Sequence, residues 1–185
     1  MNKFFIKLFI LFFFTNQSIA QENIMILKLK DGDVKIELFE DVAPNHVKRI
    51  TELANSGKYD NVVFHRVIDG FMAQTGDVKF GKSDSDEFDI KKAGFGGSDL
   101  PDLKQEFSNL PHDRGTLSMA RSSDPNSANS QFFICFQPAD FLDNQYTVFG
   151  KVIEGMEFVD NIKRGDQNNN GAVTDPDKII SFKSQ

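Results

Sequence analysis

One arginine and one glutamine lie within two short apolar runs that flank the dipeptide Asp69-Gly70. The stretch from Val62 to about Thr75 is predicted to be a β-hairpin, because Asp-Gly between hydrophobic runs is a strong turn signal. A plain core strand would carry neither Arg66 nor Gln74, so the guanidinium either reaches water or is directed at a ligand. A guanidinium is always charged and holds its N–H donors in a fixed plane, which suits donation to one defined acceptor.

The histidines and the cysteine form no recognisable nucleophilic or metal-binding pattern. His46, His65 and His112 are scattered along the chain, and no Ser-His-Asp order or ligand spacing accompanies them. Cys135 is the only cysteine, which excludes an internal disulfide, and its apolar surroundings are typical of a small buried hydrophobe. We therefore expect no metal in the catalytic site, no cofactor and no covalent catalysis.

Two loops carry weaker ligand signals. Gly94-Phe95-Gly96-Gly97 is rich in glycine, but no Lys-Ser/Thr pair follows it, which disfavours a phosphate-binding loop. The stretch 166–177 follows the spacing of a calcium loop, with Asp166, Asn168, Asn170 and Asp177 at ligand positions. Turn-rich connections use the same residue types, so calcium binding and a plain loop both stay open.

The pattern of the rest of the chain predicts a mainly β protein with two helices. Pro44 and the helical spacing of Val47, Ile50 and Leu53 predict a helix over 44–56. With the hairpin, the strands and helices favour a closed antiparallel eight-stranded β-barrel capped by two α-helices. The second helix is expected over 155–163, and further strands over 24–30, 34–39, 115–120, 131–136, 146–153 and 178–183.

The predicted strand at 131–136 has two different faces. One alternating set of side chains is wholly apolar, and the other combines an amide, an aromatic ring and a thiol. In a barrel, the first set would be buried in the core and the second would face a cleft. The two sets are Phe132, Ile134 and Phe136, and Gln131, Phe133 and Cys135.

The first twenty residues differ from the rest of the chain. Lys3 and Lys7 precede an unbroken apolar run, and Ser18 and Ala20 supply small residues at the −3 and −1 positions of a cleavage site. This layout is typical of a secretory signal peptide, and its apolar run is shorter than the roughly 20 residues that span a bilayer. We expect cleavage after Ala20, a periplasmic or secreted protein without a membrane span, and one domain over 21–185.

The charge of the chain excludes one class of partner. The formal net charge is −6, and loss of residues 1–20 removes two of the 21 basic residues and none of the 27 acidic ones, which leaves −8. An acidic chain without a basic cluster is a poor nucleic-acid binder, so no nucleic acid is expected. We expect a monomer.

Three blocks of residues together resemble the cyclophilins, which are peptidyl-prolyl cis–trans isomerases (rotamases). The blocks are Phe64–Asp77; Gly115–Ala120 with Pro125–Cys135; and Phe141–Asp143 with Thr147–Val152. They keep the family order and spacing over residues 24–183, and several motifs in register are more specific than one. The resemblance implies a cyclophilin-like barrel that acts on X-Pro bonds of unfolded or folding polypeptides.

The resemblance also implies roles for individual residues. Arg66 matches the catalytic arginine. Ala120 and Arg121 match the segment whose backbone pairs with the bound peptide. The apolar pocket for the proline ring corresponds to Phe71, Met72, Phe133 and Leu142, and the polar groups at its edge to Gln74 and Gln131.

Three substrate-site positions depart from common family residues. Arg121 stands where many members have Asn, Phe141 where many eukaryotic members have Trp, and Tyr146 where they have His. Phe141 and Tyr146 resemble the bacterial exported branch. Because a phenyl ring cannot replace the indole N–H donor, the resemblance also implies weak binding of cyclosporin.

Two functions remain open on the sequence. An isomerase that assists the folding of exported proteins needs both an apolar proline site and a donor for the prolyl nitrogen, and Arg66, Gln74 and Phe133 are all present. A proline-peptide binding module or holdase chaperone would bind the same segments and would not need the arginine. The complete residue set favours the isomerase.

Overall fold

The computed structural model describes residues 23–185, so the predicted signal peptide and its cleavage site lie outside the described residues. Two α-helices, α1 (Pro44–Asn55) and α2 (Met156–Asp160), accompany eight strands. The strands are β1 (Ile24–Lys28), β2 (Asp33–Leu38), β3 (Arg66–Ile68), β4 (Met72–Thr75), β5 (Thr116–Met119), β6 (Phe132–Cys135), β7 (Val148–Glu154) and β8 (Ser181–Ser184). Within residues 23–185, no helix has the length and apolarity needed to cross a membrane.

All eight strands belong to one antiparallel sheet in the order β3-β4-β6-β5-β7-β2-β1-β8. The prediction of a mainly β fold with eight antiparallel strands and two helices is confirmed. α1 agrees with its predicted range within one residue, and α2 is shorter than the predicted 155–163.

The sequence predicted a closed barrel, but the sheet is an open half-barrel. The edge strands β3 and β8 are not paired with each other in the described sheet. The chain before β8 bridges part of the gap, where the N–H of Phe64 donates to the carbonyl of Asp177 at 2.8 Å. Val63 and Lys178 form an isolated bridge there, and the regular strand β8 begins only at Ser181, three residues after the predicted start of that strand.

The core lies between the concave face of the sheet and α1. Phe132, Ile134 and Phe136 belong to this core, whereas Phe133 and Cys135 belong to a second apolar cluster. The predicted division of β6 into two faces is therefore confirmed. It follows from strand geometry, in which successive side chains point to opposite faces of the sheet.

A distant glutamate completes the N-terminus of α1. Pro44 occupies the first helical turn, and Ala43 before it has no side chain that could cap the helix. The carboxylate of Glu106 instead accepts the backbone N–H groups of Asn45 and His46, each at 3.1 Å. These bonds satisfy N–H groups that have no partner within the helix, and they fix the long loop before β5 to the body of the protein.

Candidate active site

A cavity of about 280 Å³ opens on the face of β4 and β6 that lies opposite the core. We call it the Arg66 cavity. It contains ten of the eleven predicted site residues; the eleventh, Gln131, lines a neighbouring cavity. The ten residues are Arg66, Phe71, Met72, Gln74, Ala120, Arg121, Phe133, Phe141, Leu142 and Tyr146.

Strand register brings together residues that are far apart in the chain. Arg66 on β3 is opposite Gln74 on β4, and Gln74 is in turn opposite Phe133 on β6. Since directly opposed residues on antiparallel strands present their side chains on the same face, the three groups share one surface. The pairing therefore brings Arg66 and Phe133, which are 67 positions apart in the sequence, onto one surface with Gln74 between them.

The floor of the cavity is apolar. Met72, Phe133 and Leu142 are almost fully buried and form a cluster that is separate from the main core. Phe133 contacts the ring of Tyr146 edge to face, with a centroid distance of 6.0 Å. These contacts hold the ring of Phe133 in the floor of the cavity.

The rim of the cavity carries a more exposed aromatic residue. Phe141 is 66% exposed and lies 5.3 Å from Phe71 between ring centroids. It comes from a single 3-10 turn, Asp140–Leu142, that begins the connection to β7. Weak cyclosporin binding was predicted because the phenyl ring of Phe141 carries no N–H donor, and it stays a prediction.

Arg66 is held by neutral acceptors. Its Nη1 donates to Gln74 Oε1 at 3.2 Å and lies 3.9 Å from Met72 Sδ. On the other edge, Nε donates to the carbonyl of Asn170 at 3.0 Å, and Nη2 donates to Asn170 Oδ1 at 3.1 Å. Partial burial lowers the pKa of Arg66 from its ordinary value. Among residues 23–185, no carboxylate forms an ion pair with Arg66, so its charge is not neutralised locally.

Two amides link the Arg66 cavity to its neighbour. Gln74 accepts from Arg66 and donates through Nε2 to Gln131 Oε1 at 3.0 Å. Gln131 Nε2 donates to the carbonyls of Gly94 and Gly96 at 3.0 and 2.7 Å. Gln131, predicted at the edge of the proline pocket, thus lies one residue further from Arg66 and anchors a loop.

The neighbouring cavity, which we call the loop cavity, has a volume of about 480 Å³. Gln74, Ala120 and Arg121 line both cavities, and the glycine-rich loop 94–98 forms much of the outer wall of the loop cavity. The N–H groups of Gly94 and Gly96 both donate to the buried carboxylate of Asp77 at 2.8 Å. Because these donors already bind an internal anion, the loop does not cradle a phosphate.

Arg121 lies where the two cavities meet. Its guanidinium stacks over the ring of Tyr146 at 4.4 Å from the ring centroid and donates to the carbonyl of Gln145 at 2.9 Å. The backbone N–H of Ala120 donates to the carbonyl of Gln131 at 2.9 Å. Arg121 therefore adds a cation to the rim of both cavities.

The structure reveals a Ser-His-Asp chain that the sequence analysis missed. His112 Nδ1 lies 2.8 Å from Asp143 Oδ1, and His112 Nε2 lies 3.0 Å from Ser118 Oγ. Ser118 and His112 are fully buried, so the hydroxyl is inaccessible to a substrate. Hydrogen bonds from His112 lower the pKa of Asp143. The ring of His112 stacks on Phe133 at 6.2 Å, so this chain supports the cavity floor and does not form a hydrolase site.

Cys135 is no better placed for chemistry. Its side chain is fully buried beneath the cavity floor. Burial raises the pKa of the thiol to about 12, whereas a reactive cysteine needs a depressed pKa and access to solvent. The interpretation of Cys135 as a small buried hydrophobe agrees with this geometry.

The loop with calcium-like spacing uses its oxygens for bonds within the protein. Asp166 Oδ1 accepts the N–H of Asn168 at 2.9 Å, and Asp177 Oδ2 accepts the N–H of Lys163 at 2.8 Å. Asn170 is committed to Arg66. The described residues contain no group of three or more His, Cys, Asp or Glu that could hold a metal ion. These contacts favour a structural loop, and they show a contact to Arg66 that spacing alone did not indicate.

Sequence comparison identifies the family. The family described as cyclophilin type peptidyl-prolyl cis-trans isomerase/CLD matches residues 24–184. A probable peptidyl-prolyl cis-trans isomerase of Brucella suis is 61% identical over 159 residues, which is 86% of this chain and 81% of that protein.

Two solved structures share the fold. A cyclophilin type peptidyl-prolyl cis-trans isomerase of Cryptosporidium parvum, crystallised in the presence of the dipeptide Ala-Pro, is 31% identical with a TM-score of 0.73, over 88% of this chain and 98% of that one. A cyclophilin of Hirschia baltica is 27% identical with a TM-score of 0.70, over 88% of this chain and 74% of that one. The chain therefore belongs to the cyclophilin family and is a peptidyl-prolyl cis–trans isomerase of that type.

Proposed function

We propose that the enzyme isomerises X-Pro bonds in exported polypeptides by seating the proline ring on the apolar floor of the Arg66 cavity and directing Arg66 at the prolyl nitrogen. One observation carries the proposal: a guanidinium without a carboxylate partner among the described residues lies in the wall of a cavity whose floor is apolar. The cyclophilin family acts on proline-containing peptides, so the substrate class follows from the family.

The chemistry needs only a change in amide resonance. The X-Pro bond is held by resonance that gives a rotational barrier of about 18–20 kcal/mol. Twisting removes this resonance and frees the lone pair of the prolyl nitrogen, which can then accept a hydrogen bond. An apolar floor favours the twisted form, because it carries less charge separation than the planar amide.

The contacts of Arg66 leave donors for this purpose. A guanidinium has five N–H groups. Three of them donate to oxygen atoms of Gln74 and Asn170. The second N–H of Nη1 donates to Met72 Sδ at 3.9 Å, a weak acceptor that a prolyl nitrogen can replace, and the second N–H of Nη2 is available to a substrate. A hydrogen bond that forms only in the twisted state accelerates the reaction, since ground-state binding does not change.

The test is the Arg66→Ala variant in a protease-coupled proline assay. Loss of one donor to a transition state typically costs 10²–10³ in rate. We therefore expect kcat/KM to fall by at least about tenfold. Arg114→Ala is the matched control, because Arg114 forms a surface ion pair with Asp160 and lies outside both cavities. Undiminished isomerase activity in a folded Arg66→Ala protein would refute the mechanism.

Exposed aromatic rings favour a second candidate activity, holdase binding. Phe95 and Phe141 are 86% and 66% exposed, and they line the loop cavity and the Arg66 cavity respectively. Such rings can hold apolar segments of an unfolded client without catalysis. Suppression of client aggregation that survives in Arg66→Ala and is lost in a Phe95→Ala, Phe141→Ala double variant would support this activity.

The export context is part of the same proposal. It is supported by the signal-peptide layout of residues 1–20 and by the bacterial-branch residues Phe141 and Tyr146. We expect the mature protein, isolated from the native source, to begin at Gln21 and to fractionate with the periplasm or the medium. N-terminal sequencing that finds an uncleaved chain in the cytosol would contradict it.

A further inference from the structure

The loop between α2 and β8 contacts Arg66, and the proposed reaction assigns no role to this contact. We propose that Asn170 is a positioning residue, which orients the guanidinium of Arg66 through two neutral acceptors. The inference rests on the proposed function of Arg66. It assigns a role to the residues 165–172, whose spacing had suggested calcium.

Backbone hydrogen bonds fix this loop to β3 next to Arg66. The N–H of Val67 donates to the carbonyl of Gly171 at 2.8 Å, and the N–H of Gly165 donates to the carbonyl of Val67 at 2.9 Å. The loop closes on itself where the N–H of Asp166 donates to the carbonyl of Ala172 at 3.0 Å. The loop is therefore attached to the residue that directly follows Arg66.

Glycine at position 171 permits this close approach. Its φ is 77°, and a Cβ atom there would lie 2.5 Å from Cγ1 of Ile68. Any other residue would push the loop away from β3. The loop then carries Asn170 to the outer edge of the guanidinium.

Asn170 adopts the left-handed conformation, with a φ of 51°. Asparagine tolerates this conformation better than most residues with a side chain. The result is that two acceptors of one residue contact one edge of Arg66, with the carbonyl on Nε at 3.0 Å and Oδ1 on Nη2 at 3.1 Å. Gln74 holds Nη1 on the other edge at 3.2 Å, so the plane of the guanidinium is fixed from both edges.

The acceptors are neutral, and this matters for the chemistry. A carboxylate in the place of Oδ1 would also orient the guanidinium, but it would cancel part of the positive charge that stabilises the twisted bond. A carbonyl and a carboxamide orient the group and leave its net charge intact. Asn170 is exposed to solvent, so each bond competes with water and a moderate effect is expected.

The experiment is a double-mutant cycle between Asn170 and Arg66. Glycine accepts the left-handed conformation and keeps the backbone carbonyl, so Asn170→Gly removes only the Oδ1 contact. We expect Asn170→Gly to lower kcat/KM by about threefold to tenfold through kcat, with the Kd of a proline peptide and the melting temperature almost unchanged. In the Arg66→Ala background, the same substitution should change kcat/KM by less than about 1.5-fold.

Asn61→Gly is the matched control, because Asn61 is also left-handed, with a φ of 63°, and its side chain donates to Asp84 away from both cavities. An equal loss from Asn170→Gly in both backgrounds would show a merely structural role and overturn the inference. So would unchanged activity of Asn170→Gly beside an impaired Arg66→Ala, which would leave the proposed function intact. Full activity of Arg66→Ala would overturn both proposals.

Discussion

The two cavities share one wall but are built from different parts of the chain. The Arg66 cavity is lined largely by side chains from paired strands and the short turn at 140–142, with Arg66, Met72 and Phe133 fixed by register. The loop cavity is lined mainly by the glycine-rich loop 94–98 and by serine and asparagine side chains from the connection between β5 and β6. Gln74, Ala120 and Arg121 belong to both.

This difference separates the requirements of catalysis from those of substrate contact. Strand register determines the positions of several side chains at once, so the groups that must act on one bond have little freedom. The shape of the loop cavity depends instead on a few polar bonds, in which Asp77 and Gln131 hold the loop. We infer that the Arg66 cavity determines the reaction and that the loop cavity contributes adjustable contacts to the rest of the peptide.

The sharpest test of this division is a matched pair of Phe→Ala variants. Phe133→Ala removes the buried floor of the Arg66 cavity, and we expect kcat/KM to fall about a hundredfold, a loss of about 3 kcal/mol of transition-state stabilisation. The folded state should also lose roughly 3–5 kcal/mol, which thermal melting will show. Phe95→Ala, in the loop cavity, should stay within about twofold of wild-type activity. Equal losses of activity would contradict the division.

Acid should lower the free energy of unfolding through His65, whose ring lies close to Gly94 of the loop. Burial lowers the pKa of His65 from 6.5 to about 4. As the pH falls below 6.5, the unfolded chain takes up a proton that the folded chain refuses, so the free energy of unfolding should decrease by about 3 kcal/mol by pH 4. Urea denaturation at several pH values, for wild type and His65→Gln, measures the contribution of His65 to the free energy of unfolding. A difference between the two proteins that does not change with pH would contradict it.

Asp77→Asn should loosen the loop and leave the Arg66 cavity in place. The carboxylate accepts four backbone N–H groups, those of Lys79, Phe80, Gly94 and Gly96. A carboxamide presents only one oxygen and directs its NH2 group at the donors, so we expect a loss of about 2 kcal/mol of unfolding free energy. Chemical denaturation gives this value, and hydrogen exchange should increase at Gly94 and Gly96. Unchanged stability would show that other contacts hold the loop.

Local sequence patterns predicted the individual helices, strands and turns better than the way in which the strands assemble into a sheet. The Asp69-Gly70 turn, the helix that begins at Pro44 and the two faces of β6 depend on neighbouring residues, and all three agree with the structure. Barrel closure was predicted from the set of strands and helices and is not observed, because the chain before β8 meets the chain before β3 through isolated contacts and not through a paired strand. A list of predicted elements contains no information about how their edges pair.

Prediction of the candidate site from the sequence was limited in the same way, because contacts between distant segments were not visible. The motifs indicated eleven residues, and ten of them line one cavity, but the motifs could not show that Gln131 bonds to the loop at Gly94 and Gly96. The chain Ser118-His112-Asp143 was also missed, since its members come from separate segments and only folding brings them within hydrogen-bond distance.

The sequence by itself determined the element types and, through its motifs, the resemblance to the family, because periodicity, turn residues and motif spacing are written along the chain. The tertiary structure alone decided what Arg66 touches. Strand register places Arg66 in the same cavity as Phe133, and the guanidinium contacts Asn170 because a loop 104 positions away docks on β3. Arg66 is thus oriented by a loop whose own sequence had suggested calcium binding. The sequence could not show this contact, because hydrogen bonds over such separations exist only once the chain has folded.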